Sequence, residues 1–514
     1  MMPNLDLSAI SPMIFVAVGA ILLPLLEVLL ARMIERRRSW LGRTVNREMA
    51  STAIVIFTVL LLVLALLRTV GTFDLPVAHF NLDHPMIAVD QLTRFLNAVL
   101  LISAILTVLV SSRYLADIGM DHGEFYALLL ASLLGMMLLG AATDLIMLFL
   151  ALELMSIPIY ALAGFQRSSL KSNESALKYF IIGSFASALL LYGCALLYGA
   201  TGTVELAEIA RGFDPENPLT LLGAALVLVG FAFKIASVPF HQWAPDVYEG
   251  APTTVTGFMA TAVKVAAFGA LIRVVAVGLQ PGAEIMYGVF WWLAVLSMTV
   301  GNVMAIIQQN TKRMLAYSSV AHGGYMLVGI CVGTQSGYAG LLFYLLVYTF
   351  MTIGAFTVLA ILTRDGREVS RIDDLAGLHE THPFAAIVMT LCMFSLAGIP
   401  PLAGFWGKWY LLTGAVERAT AIGDTSLIVL AVVLVMNSAI SLAYYLRLPV
   451  VMYMREARGA DRPDATAGAL QTTVLWVCAL AIVLIGVVPG DFLILFGDYD
   501  LIASARVAAS AVSP

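Results

Sequence analysis

The stretch GFAFKIASVPFHQWAPDVYEGAPTTVTGFMATAVK, residues 230–264, decides the fold. Lys234 stands inside an apolar run, Pro239 interrupts that run, and His241 follows closely. A short polar segment carries Asp246 and Glu249, and Pro252 then opens a second apolar run that holds Lys264. Hydrocarbon contains no water to satisfy a bare backbone group or a charge, so a broken helix or a lysine at membrane depth is costly. Membrane proteins keep such features mainly where an ion, a proton or a substrate passes. The plainer reading of Lys234 is an anchor near a helix end whose amine reaches back to the interface.

The rest of the chain supplies the membrane. Of 514 residues, 61% are hydrophobic and only 12% are charged, with a mean hydropathy of +0.93. Soluble domains carry about twice that charged fraction. The expectation is an all-α polytopic membrane protein with about 14 transmembrane helices. The boundaries include 123–141, 143–164, 174–199, 219–239, 253–278, 383–414, 425–450 and 470–496. Only Thr143 and Asp144 separate the spans at 141–143, and Pro400–Pro401 interrupt the run at 383–414. The first apolar run, Ile14 to Leu30, lacks a basic n-region and is read as a span rather than a signal peptide. The net charge of −5 carries no information about nucleic acid. Cys194, Cys331, Cys392 and Cys478 lie singly in apolar runs, which gives no zinc or iron–sulfur pattern.

Basic residues set the orientation. Nearly all arginines fall in loops, and most of these loops lie on one side if the loop after the first span is cytoplasmic. Both termini are then periplasmic. Four basic residues remain within spans, and all four are lysine: Lys178, Lys234, Lys264 and Lys408. A desolvated lysine can lose its proton, whereas arginine cannot, so a proton carrier needs lysine. Glu153, in LFLALELMSIPIY, is the deepest acid. It faces two possible partners, Lys178 and Lys234, and both pairings stay open. Two charges ~10 Å apart at an effective dielectric of ~20 interact by roughly 1.7 kcal/mol. Moving a charge against ~150 mV costs about 3.5 kcal/mol, so a row of coupled groups is expected rather than one switch.

His241 is read either as a relay between Lys234 and Lys264 or as a cap on the broken helix. His322, with Ser318 and Ser319 in AYSSVAHGGYM, lines a hydrated path or simply packs helices. Glu27, in LLPLLEVLL, reads first as an interfacial acid. GFWGKWY around Lys408 lacks the spacing of a phosphate loop, so nucleotide binding is set aside. No sequence pattern for a redox centre is present.

The chain also repeats itself. FKIASVP (Phe233–Pro239) matches FSLAGIP (Phe394–Pro400), and each is followed by a tryptophan, Trp243 and Trp406. An odd number of spans separates the copies, which makes the repeats inverted, with one broken helix in each.

FKIASVPFHQWAPDVYEGAPT, NTKRMLAYSSVAHGGY, ALKYFIIGSFASALLLYG and SLAGIPPLAGFWGKWY together resemble the antiporter-like subunits of bacterial respiratory complex I, NADH:quinone oxidoreductase. Within that family the likeness is to the N type, the counterpart of mitochondrial subunit 2; the Mrp cation/proton antiporters are relatives and the alternative reading. The resemblance implies an N-terminal three-helix segment (1–122), inverted repeats at 123–278 and 279–456 with broken helices 7 and 12, and a C-terminal helix (457–514). It implies proton translocation along Glu153, Lys178, Lys234, His241, Lys264 and Lys408, coupled to quinone reduction elsewhere. It places NADH, FMN, iron–sulfur clusters and quinone in partner subunits, with no cofactor in this chain. The implied partners are antiporter-like subunit M, the small subunits K, J, A and H, the peripheral arm and lipids, in the cell inner membrane.

Overall fold

The computed structural model describes residues 7–36, 43–73, 75–80, 86–364, 367–456, 464–465, 467–489 and 510. The expected end of the last span, the two termini and most of the segment 457–514 lie outside the described residues.

Among those residues twelve helices are long and apolar enough to cross a membrane. Two shorter apolar helices, Pro218–Lys234 and Pro383–Ala397, join them. In chain order the helices are α1 (Leu7–Arg36), α2 (Arg43–Gly71), α3 (Gln91–Asp117), α4 (Gly123–Ala141), α5 (Leu145–Ala163), α6 (Leu170–Thr201), α7 (Leu206–Gly212) and α8 (Pro218–Lys234). After the first break come α9 (Trp243–Gly250), α10 (Thr253–Phe258) and α11 (Lys264–Arg273), then α12 (Ala283–Ile306), α13 (Thr311–Val332) and α14 (Gln335–Ile361). The last third holds α15 (Leu378–Thr381), α16 (Pro383–Ala397), α17 (Ala403–Ile422), α18 (Thr425–Tyr445), α19 (Arg447–Met454) and α20 (Ala469–Val487). Two short antiparallel pieces decorate the loops: β1 (Ala78–Phe80) with β2 (Ile87–Val89), and β3 (Leu362–Arg364) between β4 (Arg367–Glu368) and β5 (Asp464–Ala465).

Small polar side chains start the helices. Asp90 accepts from Thr93 N at 2.9 Å, Asp144 from Met147 N at 2.6 Å and Asn310 from Arg313 N at 3.1 Å, each satisfying an amide that has no partner within its helix. The Asp144 cap explains how two membrane helices turn within the expected gap at 141–143. Glu27 is a cap as well: its carboxylate, carried on α1, accepts from Gly123 N at 2.9 Å at the start of α4.

Both proline breaks are present, with one correction. The sequence placed the end of the seventh span at Pro239, but α8 stops at Lys234. Proline has no N–H to give the carbonyl one turn back, and it disfavours helical geometry in the residue before it, so the helix closes earlier. Ala236 turns left-handed (φ 55°) and Ser237 N returns to Ala232 O at 2.9 Å. In the second break α16 ends at Ala397, Gly398 turns at φ 87°, and α17 runs past the expected 414 to Ile422. The span at 253–278 is continuous but contains two π-helical turns, Met259–Val263 just before Lys264 and Val274–Gly278 just after Arg273. Such turns are rare and concentrate at functional positions.

Helices α13 and α14 occupy the centre and are buried throughout their apolar windows, whereas α1, α2 and α18 turn much of their surface outward. The seam between α12 and α13 is set by glycine. A Cβ on Gly301 would lie 2.6 Å from Ala321 N, and one on Gly324 would lie 2.6 Å from Met298 N. The two backbones therefore touch, as small residues allow in membrane helix packing.

Candidate functional site

Three of the expected lysines are buried: Lys234 is 3% exposed, Lys264 2% and Lys408 5%. Each is held by neutral oxygen atoms and aromatic faces. Lys234 Nζ, at the last residue of α8, donates to Ser156 Oγ at 2.7 Å and Tyr160 Oη at 3.2 Å on α5. It also lies 5.3 Å and 5.7 Å from the ring centres of Tyr160 and Tyr179, within cation–π range. Lys264 Nζ donates to the carbonyl of Ser319 and to Ser319 Oγ (2.7 Å), over the ring of Tyr348 at 5.3 Å. Lys408 Nζ donates to Leu396 O (3.0 Å), Ala397 O (2.9 Å) and Ser438 Oγ (2.9 Å), over Tyr325 at 4.7 Å.

The helix breaks account for this arrangement. The last carbonyls of a helix have no partner within it and carry partial negative charge. At the end of α16 these carbonyls, Leu396 O and Ala397 O, are the ligands of Lys408. Gly398 lets the lysine approach, since a Cβ there would sit 3.3 Å from its Nζ. At the end of α8 the corresponding feature points to Lys264. A Cβ on Gly323 would be 3.1 Å from Ile235 O and 3.7 Å from Lys264 Nζ, so the freed carbonyl and the amine border the same gap.

Between Lys264 and Lys408 runs a hydroxyl and imidazole network that the sequence only partly announced. His322, fully buried on α13, bonds through Nδ1 to Tyr344 Oη at 2.7 Å and through Nε2 to Tyr445 Oη at 2.8 Å. Tyr445 continues to Ser318 by a short hydrogen bond. Asn302 donates to Tyr325 Oη at 3.0 Å and accepts from Tyr444 Oη at 2.9 Å. Ser319, His322 and Tyr325 follow one another at helical spacing along α13, which gives a continuous polar face from Lys264 to the ring under Lys408.

Other expected positions are placed differently. Lys178 is not buried: its side chain is 40% exposed and pairs with Glu174 at 2.6 Å and Asp246 at 2.7 Å, not with Glu153. The helix α6 is long enough that its first turns, with Lys171, Glu174 and Lys178, stand at the acidic end of α9, where Arg313 also pairs with Asp246 (2.6 Å) and Glu249 (3.1 Å). Lys171, Glu174, Asp246, Glu249 and Arg313 line a cavity of about 130 Å³ there. Glu153 sits one turn before Ser156 on α5, and its Oε1 is buried with no hydrogen-bond partner among the described residues. Neither Lys178 nor Lys234 is within ion-pair distance of it. Lys234 instead takes the two hydroxyls that follow Glu153 along the helix. His241 is half-buried in the break, its ring centre 6.3 Å from that of Tyr317, and no hydrogen bond joins it to Lys234 or Lys264 among the described residues.

Two further charge clusters clamp the segment that carries Lys264. At its start Lys312 Nζ donates to Ala251 O (2.7 Å), Thr253 Oγ1 (3.3 Å) and Glu368 Oε2 (3.3 Å), while Tyr114 donates to the other Glu368 oxygen. Burial pushes the Glu368 carboxyl up, but the Lys312 charge and these hydrogen bonds more than offset it and hold it below its usual value. At the far end Arg273 makes a bidentate pair with Asp90, at 2.8 and 2.9 Å, both side chains nearly buried. Desolvation raises Asp90, and Arg273 outweighs it, so this carboxyl also sits below the usual range. Sequence reading missed both clusters, because their partners are distant in the chain.

A bundle with two broken helices and three buried lysines, one of them on the carbonyls freed by a break, fits the class of antiporter-like ion-translocating membrane proteins. The sequence profile of the family described as "NADH:quinone oxidoreductase/Mrp antiporter, TM" matches residues 142–440. NADH-quinone oxidoreductase subunit N from Trichlorobacter lovleyi is 48% identical over 72% of this chain and 75% of its own length. Subunit N 1 from Sorangium cellulosum is 42% identical over 94% and 96%. A chain in the structure of respiratory complex I from Thermus thermophilus with bound aureothin superposes with a TM-score of 0.75 at 34% identity, covering 93% of this chain and 97% of that one. A chain of the Mrp complex from Dietzia sp. shares the fold, with a TM-score of 0.82 at 22% identity over 98% of both. The chain belongs to the NADH-quinone oxidoreductase subunit N family.

Proposed function

We propose that this chain is a proton-translocating membrane subunit of respiratory complex I, moving protons along Glu153, Lys234, Lys264, His322 and Lys408. The observation that carries this reading is the state of the three buried amines. Among the described residues Lys234, Lys264 and Lys408 meet hydroxyls, carbonyls and ring faces, with no carboxylate within ion-pair distance. A buried ammonium that lacks a counter-charge is destabilising, and a protein that serves only as a brace gains nothing from three of them. The same surroundings accept either protonation state of an amine, which is what a carrier requires.

Each residue then has a role set by its neighbours. Ser156 and Tyr160 hold the Lys234 amine and leave Glu153 one turn away as the negative charge that biases it. Lys264 exchanges with Ser319. His322, with one hydrogen-bonding nitrogen toward each of two tyrosines, passes a proton on by tautomer exchange. Lys408 receives it at the end of α16. The cavity at Asp246 and Arg313 opens on the side of the arginine-rich loops, and we assign it to the cytoplasmic approach. Lys178 belongs to that ion-pair cluster, and His241 contributes to the break.

Quinone reduction would occur elsewhere in the assembly. NADH, FMN, iron–sulfur clusters and quinone are assigned to partner subunits, and the neighbours to subunit M, the small subunits K, J, A and H and the peripheral arm. The two halves, 123–278 and 279–456, are read as inverted repeats in the bacterial inner membrane, with both termini periplasmic. The fold shared with the Mrp chain keeps a free-standing cation/proton antiporter as the second reading. Purification separates the two, because an antiporter brings no flavin or iron–sulfur subunits with it. The central test is the proton-per-electron ratio of the assembled complex in proteoliposomes. Lys234→Met and Lys264→Met should lower it while quinone reduction continues. An unchanged ratio in both variants would leave only a scaffold.

A further inference from the structure

A cleft in the described structure lies away from the lysine axis. It has a volume of about 430 Å³ and lies where the end of α13 meets the starts of α12, α14 and α18 and the end of α17. That is the opposite end of α13 from Lys312 and Arg313, so the cleft faces the side away from the arginine-rich loops. Its walls are apolar, with Val275, Met286, Phe290, Ile330 and Leu427, and its rim carries Arg418, Glu284 and Asp424.

The surroundings place this rim at a lipid headgroup. Ile285, Val289, Ile422 and Val429 are 51%, 46%, 51% and 49% exposed on the same helix ends, a surface suited to acyl chains rather than water. Tyr287 and Trp291 bond across to Ser426, Oη to Oγ at 2.5 Å and Nε1 to the carbonyl at 3.0 Å. Amphipathic aromatic residues settle at the membrane–water boundary. The rim therefore offers one cation and two carboxylates at headgroup depth, above an apolar slot.

We propose that this cleft binds the headgroup of an aminophospholipid of the phosphatidylethanolamine class. Its phosphate pairs with Arg418 near the start of α12, where the helix dipole also favours negative charge. Its primary ammonium donates to Glu284 and Asp424, and an acyl chain follows the apolar groove between α12 and α18. A phosphatidylglycerol or cardiolipin headgroup could pair a phosphate with Arg418 but brings no cation for the two carboxylates. A choline headgroup has no N–H to donate. The inference requires only that the chain is embedded in a bilayer and is independent of the proton path.

The test uses the assembled complex in nanodiscs containing a trace of photoreactive phosphatidylethanolamine, its diazirine near the glycerol, or the same probe with a choline headgroup. Cross-linked peptides are located by mass spectrometry. Peptides covering 283–290 and 416–429 should be labelled about fivefold more by the ethanolamine probe, the scale of one charge-assisted hydrogen bond. Glu284→Gln should reduce that preference, because the carboxylates read the ammonium, and Arg418→Gln should lower labelling by both probes, because both carry the phosphate. Both residues are exposed, so the variants should assemble. Equal labelling by the two probes, a preference undiminished in Glu284→Gln, or labelling unchanged in Arg418→Gln overturns the assignment.

Discussion

Replacing Asp90 by asparagine isolates one buried charge pair at the far end of the helix that carries Lys264. The substitution keeps the cap on α3, because an amide oxygen can still accept from Thr93 N. It removes the charge facing Arg273 and sets an NH2 group against a guanidinium nitrogen. Arg273 then keeps the amide oxygen at the Oδ1 position, Thr93 Oγ1 at 3.0 Å and Gly140 O at 3.3 Å, all neutral acceptors, and no carboxylate. With both side chains only 5–6% exposed, the loss falls in the range for breaking a buried pair, about 3–5 kcal/mol. A large membrane complex unfolds irreversibly, so the quantity to measure is a rate of thermal inactivation. At about 1.4 kcal/mol per tenfold, the rate should rise by roughly 100-fold or more if the pair is lost in the transition state. Adding Arg273→Met removes the stranded cation and should recover most of the loss. The sign of the pH dependence follows from the depressed Asp90 carboxyl. Its contribution is complete above the unfolded value of about 4 and disappears as pH falls through the lower folded value. The gap between wild type and Asp90→Asn should therefore close in acid. An inactivation rate within about twofold of wild type, or a double variant as labile as the sum of the singles, would refute the reasoning.

The remaining expectations concern the axis and the clamp of Lys312 and Glu368. Lys264→Arg should lower proton translocation as much as Lys264→Met, because a guanidinium keeps its proton; recovered pumping in reconstituted vesicles would count against the carrier role. Lys178→Gln should leave the proton-per-electron ratio close to wild type and Lys234→Gln should not, since only the second amine is buried; equal loss in both would put Lys178 back on the path. Glu368→Gln should destabilise the start of α10 by roughly 1–3 kcal/mol, the scale for weakening a hydrogen bond to a charged group. That effect should be visible above the usual glutamate range of about 4.3 and fade below it, as read by inactivation rates across pH.

The sequence shows most of the architecture and about half of the site, and the division has a physical basis. Apolar run length and proline are local signals, so the spans, the Asp144 turn and both breaks could be read directly. The position of the first break was displaced because a proline acts on the residues before it, which moved the helix end to Lys234. Lys178 was misplaced because hydropathy averages over a window, whereas α6 extends beyond its apolar stretch and carries that lysine outward. His322 is legible only without its partners. Tyr344 and Tyr445 arrive from two other helices, and nothing near residue 322 announces them. The pair of Asp90 and Arg273 and the cluster around Glu368 join residues far apart in the chain and were invisible for the same reason.

The glycine seam at Gly301 and Gly324 has a kinetic meaning. Two backbones in direct contact leave α13 no clearance to roll, so Ser319, His322 and Tyr325 behave as fixed rungs on a ladder. On the proposed path, what gates the traffic then resides in the lysine side chains and in the severed helices beside them. A bulkier residue in that seam would jam the machine by bending the ladder, even though it touches no titrating group.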